Sequence, residues 1–100
     1  MANAIAIPQT ALVEFCDKHH IRKLALFGSV LRDDFRPDSD IDVLVEFEPG
    51  HVPGFIGLAG MELELSEILG RRVDLNTPGF FNPTLRKRII EEALVQYGEG

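Results

Sequence analysis

Residues 23–47 read KLALFGSVLRDDFRPDSDIDVLVEF and contain two segments with strand character. The first, KLALFG at residues 23–28, is a short apolar run that ends in Gly. The second, DIDVLVEF at residues 40–47, is rich in β-branched residues, which favour extended backbone. Asp40 and Asp42 stand one residue apart at the start of this second strand. Carboxylates usually lie on the solvated surface, so a pair at a strand start points to a bound cation or a chemical role.

The sequence on either side of this stretch alternates between helix and strand patterns. Apolar side chains at steps of three and four predict helices over residues 8–19 and 57–69. Residues 71–77, RRVDLNT, are a third strand candidate, and the Asn-Pro pair at 82–83 is typical of a helix start. The apolar positions that predict a buried stripe on this closing helix are Leu85, Ile89, Ala93, Leu94 and Tyr97. We therefore expect an α/β (α+β) fold with about three strands flanked by helices.

Composition limits the size and class of the protein. One hundred residues with 45% hydrophobic and 26% charged content suffice for a single domain over residues 1–100 with a real core. The apolar runs fall short of the roughly 18 to 20 residues of a membrane span. The start MANAIAIPQTA does not resemble a secretory signal, so we expect a cytoplasmic protein. The single Cys16 falls on the apolar side of the first helix and is expected to be a buried, inert thiol.

The net charge of the chain limits which macromolecules it is expected to bind. A net charge of −6 argues against the broad basic surface that binding a nucleic acid backbone requires. Short basic clusters stand at residues 71–72 and 86–88, and we interpret both as solvated ends of a strand and a helix. We therefore expect no direct contact with nucleic acid.

The carboxylates and the Gly-Ser pair together suggest a phosphate and metal site. Side chains alternate along a strand, so Asp40 and Asp42 project from one face about 6.5 to 7 Å apart at the backbone, where a hard divalent cation would relieve their repulsion. Gly28 and Ser29 end the first strand, where a helical turn is expected to begin and its amides to bind phosphate oxygens. Asp74, expected as a buried aspartate inside the third strand candidate, would supply a third carboxylate for a two-metal arrangement. These residues predict a magnesium-nucleotide triphosphate site.

The acidic residues have other possible interpretations. A calcium-binding loop of the helix-loop-helix type would need Gly at position 43 and Glu at position 49, whereas the chain has Val43 and Pro49. That alternative is excluded, while a plain solvated acidic loop stays open. Asp74 could instead cap a neighbouring helix or pair with an arginine of residues 71–72.

The histidines give weaker signals. His19 and His20 stand at the end of the first predicted helix, where a positive charge interacts favourably with the helix dipole. His51 is an isolated loop residue without partners at metal-ligand spacing, and we assign it no role.

Two apolar loop segments are candidates for docking. Residues 48–55, EPGHVPGF, are rich in Pro and Gly and predict a loop, at whose end Phe55 and Ile56 stand. Phe80 and Phe81 lie between Gly and Asn. Each pair could bind a partner or fill the core beneath its loop, and a Phe stacked on adenine is a third possibility.

One motif of the chain resembles a known signature. The motif consists of Gly28-Ser29, ten further residues and then Asp40-Ile41-Asp42, with another Asp on a later strand. It is similar to the signature of the nucleotidyltransferase superfamily, which includes DNA polymerase β and the aminoglycoside nucleotidyltransferases. A closer resemblance is to the minimal nucleotidyltransferases (MNT), which pair with HEPN proteins in prokaryotic toxin-antitoxin systems. It lies in the segment FGSVLRDDFRPDSDIDVLVEF. This resemblance covers nearly the whole chain.

The resemblance implies a nucleotidyltransferase fold with a mixed sheet. It also implies Mg2+-dependent transfer of AMP from ATP to a tyrosine of a HEPN ribonuclease, which silences that toxin. Two Mg2+ ions are expected at the site, with ATP as the substrate. The positions that match the family are Gly28 and Ser29 in the phosphate-binding turn, Asp40 and Asp42 in the metal-binding pair, and Asp74 as the third carboxylate, which assists deprotonation of the acceptor hydroxyl.

One departure from the family pattern concerns the segment after the Gly-Ser turn. Many members have Arg-Gly there, whereas this chain has Arg32-Asp33, which leaves Arg32 as a phosphate-binding or structural residue. The chain has no residues left for a second domain that would present the acceptor, so we expect a partner protein, a HEPN toxin, to bring it in a hetero-oligomer. Two alternatives stay open: an antitoxin that neutralises its partner by binding alone, and nucleotidyl transfer to a small molecule.

Overall fold

A computed structural model describes residues 7–28 and 40–98 of the chain. The elements are α1 (Gln9–Lys18), β1 (Ile21–Phe27), β2 (Ile41–Phe47), α2 (Phe55–Leu69), β3 (Val73–Asn76), a 3-10 turn (Pro78–Phe80), α3 (Pro83–Glu92) and β4 (Leu94–Tyr97). The strands form one sheet in the order β3-β2-β1-β4. β1 is antiparallel to both β2 and β4, whereas β2 and β3 are parallel. Within residues 7–28 and 40–98, no helix is both long enough and apolar enough to cross a bilayer.

The predicted class, a small mixed sheet flanked by helices, is confirmed, but the sheet has four strands rather than about three. The prediction that the closing helix runs on to Tyr97 is wrong. α3 ends at Glu92, Ala93 is extended, and Leu94–Tyr97 form β4 against β1. An open β1 edge would leave a row of backbone donors and acceptors unpaired, and β4 satisfies them. The apolar spacing of this segment fits a helix and a strand equally well, so the tertiary partner decides.

The main core lies between one face of the sheet and helices α1 and α2. α1 contributes three buried side chains, Leu12, Phe15 and Cys16, and α2 contributes Met61 and Leu65. The strand residues that join them in one cluster are Ile21, Leu24, Leu26, Ile41, Val43, Val45, Val73 and Leu75. This apolar layer leaves the opposite face of β2 and β3 available for polar side chains, because neighbours along a strand alternate between faces.

Cys16 is fully buried in this core, as the sequence predicts. Burial raises the pKa of its thiol to about 12, and the negative charge of Asp17 adds to the effect. The thiol therefore stays protonated at neutral pH, which fits an inert residue.

Helix α2 fixes the position of β3 through two side chains. The Ser66 hydroxyl accepts a hydrogen bond from the Val73 N–H at 3.0 Å, and the Glu62 carboxylate accepts one from the Leu75 N–H at 2.8 Å. Ser66 itself donates to the Glu62 carbonyl at 2.7 Å, so one helical turn carries both acceptors. The strand that bears Asp74 is thus held on both sides, by β2 and by α2.

Candidate active site

Asp42 and Asp74 are direct partners across the parallel strands β2 and β3. The flanking pair Ile41 and Val73 enters the core, so the two aspartates project from the other face of the sheet. Asp42 is half-buried, whereas Asp74 is exposed. The expectation that Asp74 is a buried strand carboxylate is therefore wrong. Its exposure removes the cost of desolvating the carboxylate, while its backbone register places it next to Asp42 on the same face of the sheet.

Asp40 lies immediately before β2 and is exposed. The Ile41 N–H donates to the Arg72 carbonyl at 2.9 Å, which joins the entry of β2 to the entry of β3. The same arginine places Nε 4.0 Å from Asp40 Oδ1, with both side chains largely in solvent, so the ion pair is weak. One alternative interpretation paired Asp74 with Arg72 or Arg71, and of these two Arg72 lies beside Asp40 instead.

Gly28 follows β1 and packs against Asp42. Its φ of 78° is in the left-handed region that favours glycine. A Cβ at this position would overlap Asp42 Oδ2 and lie 3.1 Å from Asp42 Cγ. Phe27, the residue before it, is the register partner of Asp42 in the antiparallel pair. The absence of a side chain at residue 28 therefore leaves room for the Asp42 carboxylate beside the end of β1.

Ser29 and Arg32 lie outside the described residues. The phosphate-binding roles that the sequence indicates for them stay predictions, as does the helical turn expected after Gly28.

A cavity of about 230 Å³ opens beside Gly28. Its lining residues are Phe27 and Gly28 at the end of β1 and Leu85, Arg88, Ile89 and Glu92 on α3. Arg88 is exposed, as the interpretation of residues 86–88 as a solvated helix end predicts, and it brings a cation to the lining of the cavity that Gly28 shares. The sequence offers no signal for it, because the cluster carries three adjacent cations and only the packing of α3 selects one.

Arg86, in the same cluster, has a structural role. It is half-buried and donates to the Pro78 carbonyl at 2.9 Å and to the Phe81 carbonyl at 3.1 Å. These bonds tie α3 to the 3-10 turn. Phe81 in turn packs edge-on against Phe27, with ring centroids 5.9 Å apart.

An exposed apolar surface, formed by Val52, Phe55, Ile56 and Phe80, lies toward the far end of β2. Phe55 and Ile56 begin α2 and are 84% and 92% exposed, and Phe80 is 51% exposed. The interpretation of Phe55 and Ile56 as core-filling residues is therefore wrong. Beside them is an apolar cavity of about 170 Å³, also lined by Phe47 and Leu58. Exposed apolar area of this kind is typical of a binding surface.

Comparison with known proteins gives concordant results for sequence and fold. The family model described as nucleotidyltransferase domain matches residues 9–96. A candidate protein adenylyltransferase of Methanocaldococcus jannaschii, MJ0435, is 39% identical over 77 residues, which are 77% of this chain and 81% of that protein. The solved structure of a candidate minimal nucleotidyltransferase superimposes with a TM-score of 0.71 at 36% identity, covering 86% of each chain.

A more distant structure shares the fold alone. It is an MNT antitoxin solved in complex with a tri-AMPylated HEPN toxin from Shewanella oneidensis. The TM-score is 0.66 at 18% identity, with 91% of this chain and 70% of the other covered.

Proposed function

Because this chain belongs to the nucleotidyltransferase domain family, we propose that it transfers AMP from ATP to a hydroxyl, most simply of a tyrosine, on a partner HEPN toxin and so acts as the antitoxin. The observation that carries the proposal is the register pairing of Asp42 with Asp74, beside Gly28. The reaction needs negatively charged metal ligands next to a surface on which phosphates can lie.

The donor set fits magnesium. Asp42 and Asp74 offer carboxylate oxygens from adjacent strands, with Asp40 at the entry of β2, and hard cations such as Mg2+ prefer oxygen ligands. These three residues would hold the metal. When bound, magnesium supplies positive charge that stabilises the phosphates and the attacking oxygen in the transition state.

The nucleotide is proposed to lie against the end of β1. Gly28 lines the cavity there, and Arg88 provides a positive charge in the same lining. Ser29 and Arg32 would complete the phosphate contacts. The acceptor oxygen forms a bond to the α phosphorus, the bond to the bridging oxygen breaks, and pyrophosphate leaves. Asp74 assists by taking up the hydroxyl proton, for which its exposed position is suited.

Two observations support a protein acceptor. Relatives such as MJ0435 are named as candidate protein adenylyltransferases, and the Shewanella antitoxin is bound to an AMPylated HEPN toxin. The exposed apolar surface at the start of α2 gives this chain a place where such a partner could dock. The partner would then bring the acceptor that this small domain does not itself present.

The test is intact mass measurement of both proteins after incubation with ATP, Mg2+ and the protein encoded beside this chain. We expect the partner to gain one or more AMP units with the wild-type chain and with Glu14→Gln, a control that removes an exposed carboxylate on α1. Asp42→Asn should abolish the adduct. A stable complex that silences the toxin with no adduct, or with full silencing by Asp42→Asn, would instead support an antitoxin that acts by binding. An adduct on a small molecule without any partner would overturn the protein-directed proposal.

A further inference from the structure

Three potential metal ligands converge at the end of the sheet opposite Asp42. They are His20, in the turn between α1 and β1, and Glu48 and His51, in the turn after β2. One ligand atom from each side chain lies within 4.8 Å of the other two, and all three residues are exposed. The sequence gives His51 no partner, because His20 is distant in the chain and only the pairing of β1 with β2 brings the two together.

The backbone holds these residues in place. The Glu48 N–H donates to the His20 carbonyl at 2.9 Å, and the His51 N–H donates to the Glu48 carbonyl at 3.0 Å. His20 has a φ of 56°, an uncommon left-handed conformation for a residue other than glycine. The three side chains thus extend from one hydrogen-bonded unit.

The two imidazole rings are stacked, so binding one cation through a nitrogen of each ring requires rotation of the side chains. Their ring centroids are 3.9 Å apart and the ring planes are inclined by 16°. Two imidazole nitrogens and one carboxylate oxygen form a ligand set typical of Zn2+, which is bound tetrahedrally with the fourth position left to water or another donor. Magnesium, which prefers oxygen ligands, fits this set poorly.

The cluster is separate from the aspartate site. Ile21 pairs with Phe47 at the histidine end of the β1-β2 ladder, and Phe27 pairs with Asp42 at the other end. A strand of this length spans about 20 Å, so no side chain can serve both ends. His19, the neighbour of His20, is part of neither the histidine cluster nor the aspartate site, because its Nε2 contacts Glu64 Oε1 at 2.9 Å.

We propose that His20, Glu48 and His51 bind a single divalent transition-metal cation of the Zn2+ class. Binding joins the start of β1 to the turn after β2. Because the cation binds the folded arrangement, it raises the melting temperature of the chain.

The experiment is a calorimetric titration of the untagged, chelator-treated full chain with ZnCl2, followed by thermal melts with and without zinc. The test variants are His51→Gln, in an exposed turn, and His20→Asn, since Asn tolerates the left-handed conformation. His19→Gln is the matched control, because it removes the remaining histidine of the chain and leaves the cluster intact.

We expect one zinc per wild-type chain and per His19→Gln chain, with a higher melting temperature when zinc is present. Each test variant should bind zinc at least about tenfold more weakly, as loss of a single ligand predicts, and lose the thermal shift. Equal binding by wild type, His51→Gln and His20→Asn would overturn the proposal. So would binding that survives both histidine changes but disappears in Asp42→Asn, because the cation would then lie at the carboxylates.

Discussion

Asp42 and Asp74 are register partners on parallel strands, so their carboxylates project side by side from the face of the sheet that points away from the main core. Neighbouring carboxylates repel each other, and the proposed magnesium would offset this repulsion. The proposed function therefore predicts that the stability of the domain depends on metal binding at this pair.

Neutralising Asp74 tests this link. In the absence of Mg2+, Asp74→Asn should melt at the same temperature as the wild type or higher, because one of the two repelling charges is removed. With Mg2+ and ATP, the wild type should gain more in melting temperature than the variant. AMP transfer by the variant should fall about 100-fold or more, equivalent to several kcal/mol of transition-state stabilisation. Equal thermal shifts for both proteins would contradict a metal-binding role of Asp74.

Gly28→Ala should damage both stability and the site. The added Cβ overlaps the Asp42 carboxylate, and the left-handed backbone costs a residue with a Cβ about 1 to 2 kcal/mol. We expect a lower midpoint in urea and weaker ATP binding. Gly60→Ala is the matched control, because a Cβ there meets nothing within 4 Å and alanine favours the middle of α2 by about 0.5 to 1 kcal/mol. Gly28→Ala with the wild-type midpoint would refute the steric argument.

Glu64 predicts a dependence of stability on acid pH. Hydrogen bonds from Lys18 and His19 lower the pKa of its carboxyl below the ordinary value of 4.5, the Lys18 bond being the larger cause. A carboxyl with a lowered pKa stabilises the fold above its unfolded pKa, and this contribution is lost as the pH falls through the folded pKa. Glu64→Gln should therefore be less stable than the wild type near neutral pH, by up to about 1 kcal/mol because the pair is partly exposed.

Urea unfolding of both proteins at several pH values between neutrality and strong acid measures this effect. The two stabilities should converge at the acid end. A difference that does not change with pH would assign the loss to packing rather than to charge.

Tyr97 reports on the docking of β4 against α1. Its hydroxyl donates to Asp17 Oδ1 at 3.1 Å, and this bond, more than burial, raises the pKa of the phenol above its ordinary value of 10.0. A phenol with a raised pKa stabilises the fold below its unfolded pKa, and this contribution is lost as the pH rises through the folded pKa. Tyr97→Phe should be destabilised by about 1 kcal/mol at neutral pH.

The same residue can be titrated directly. The chain has one tyrosine and no tryptophan, so the ultraviolet absorbance of tyrosinate reports Tyr97 alone. Asp17→Asn should lower its pKa toward the ordinary value. An identical titration curve in wild type and variant would rule out the influence of the Asp17 charge.

Much of the fold could be predicted from local patterns. The first two helices and the first three strands follow from the spacing of apolar residues, and their bounds shift by only a few positions: β1 begins at Ile21, and α2 begins at Phe55. β4 could not be predicted, because the segment after Glu92 fits two periodicities and only the open edge of β1 selects the strand.

The candidate site could likewise be predicted only in part from the sequence. Asp40, Asp42 and Gly28 belong to one short stretch whose spacing is visible in the sequence, whereas the register of Asp74 with Asp42 depends on the crossover through α2. The approach of Arg88 to Gly28 and of His51 to His20 arises from packing between distant segments, for which the sequence holds no local signal.

The hydrogen bonds from Val73 and Leu75 to α2 limit how this domain can associate. β3 is an outer strand, and its outward-facing N–H groups at these two residues already have side-chain acceptors, Ser66 and Glu62. A foreign strand that aligned there would have to displace both acceptors. This edge of the sheet is therefore protected against edge-to-edge aggregation. We expect a partner to bind through side-chain surfaces rather than by adding a strand beside β3.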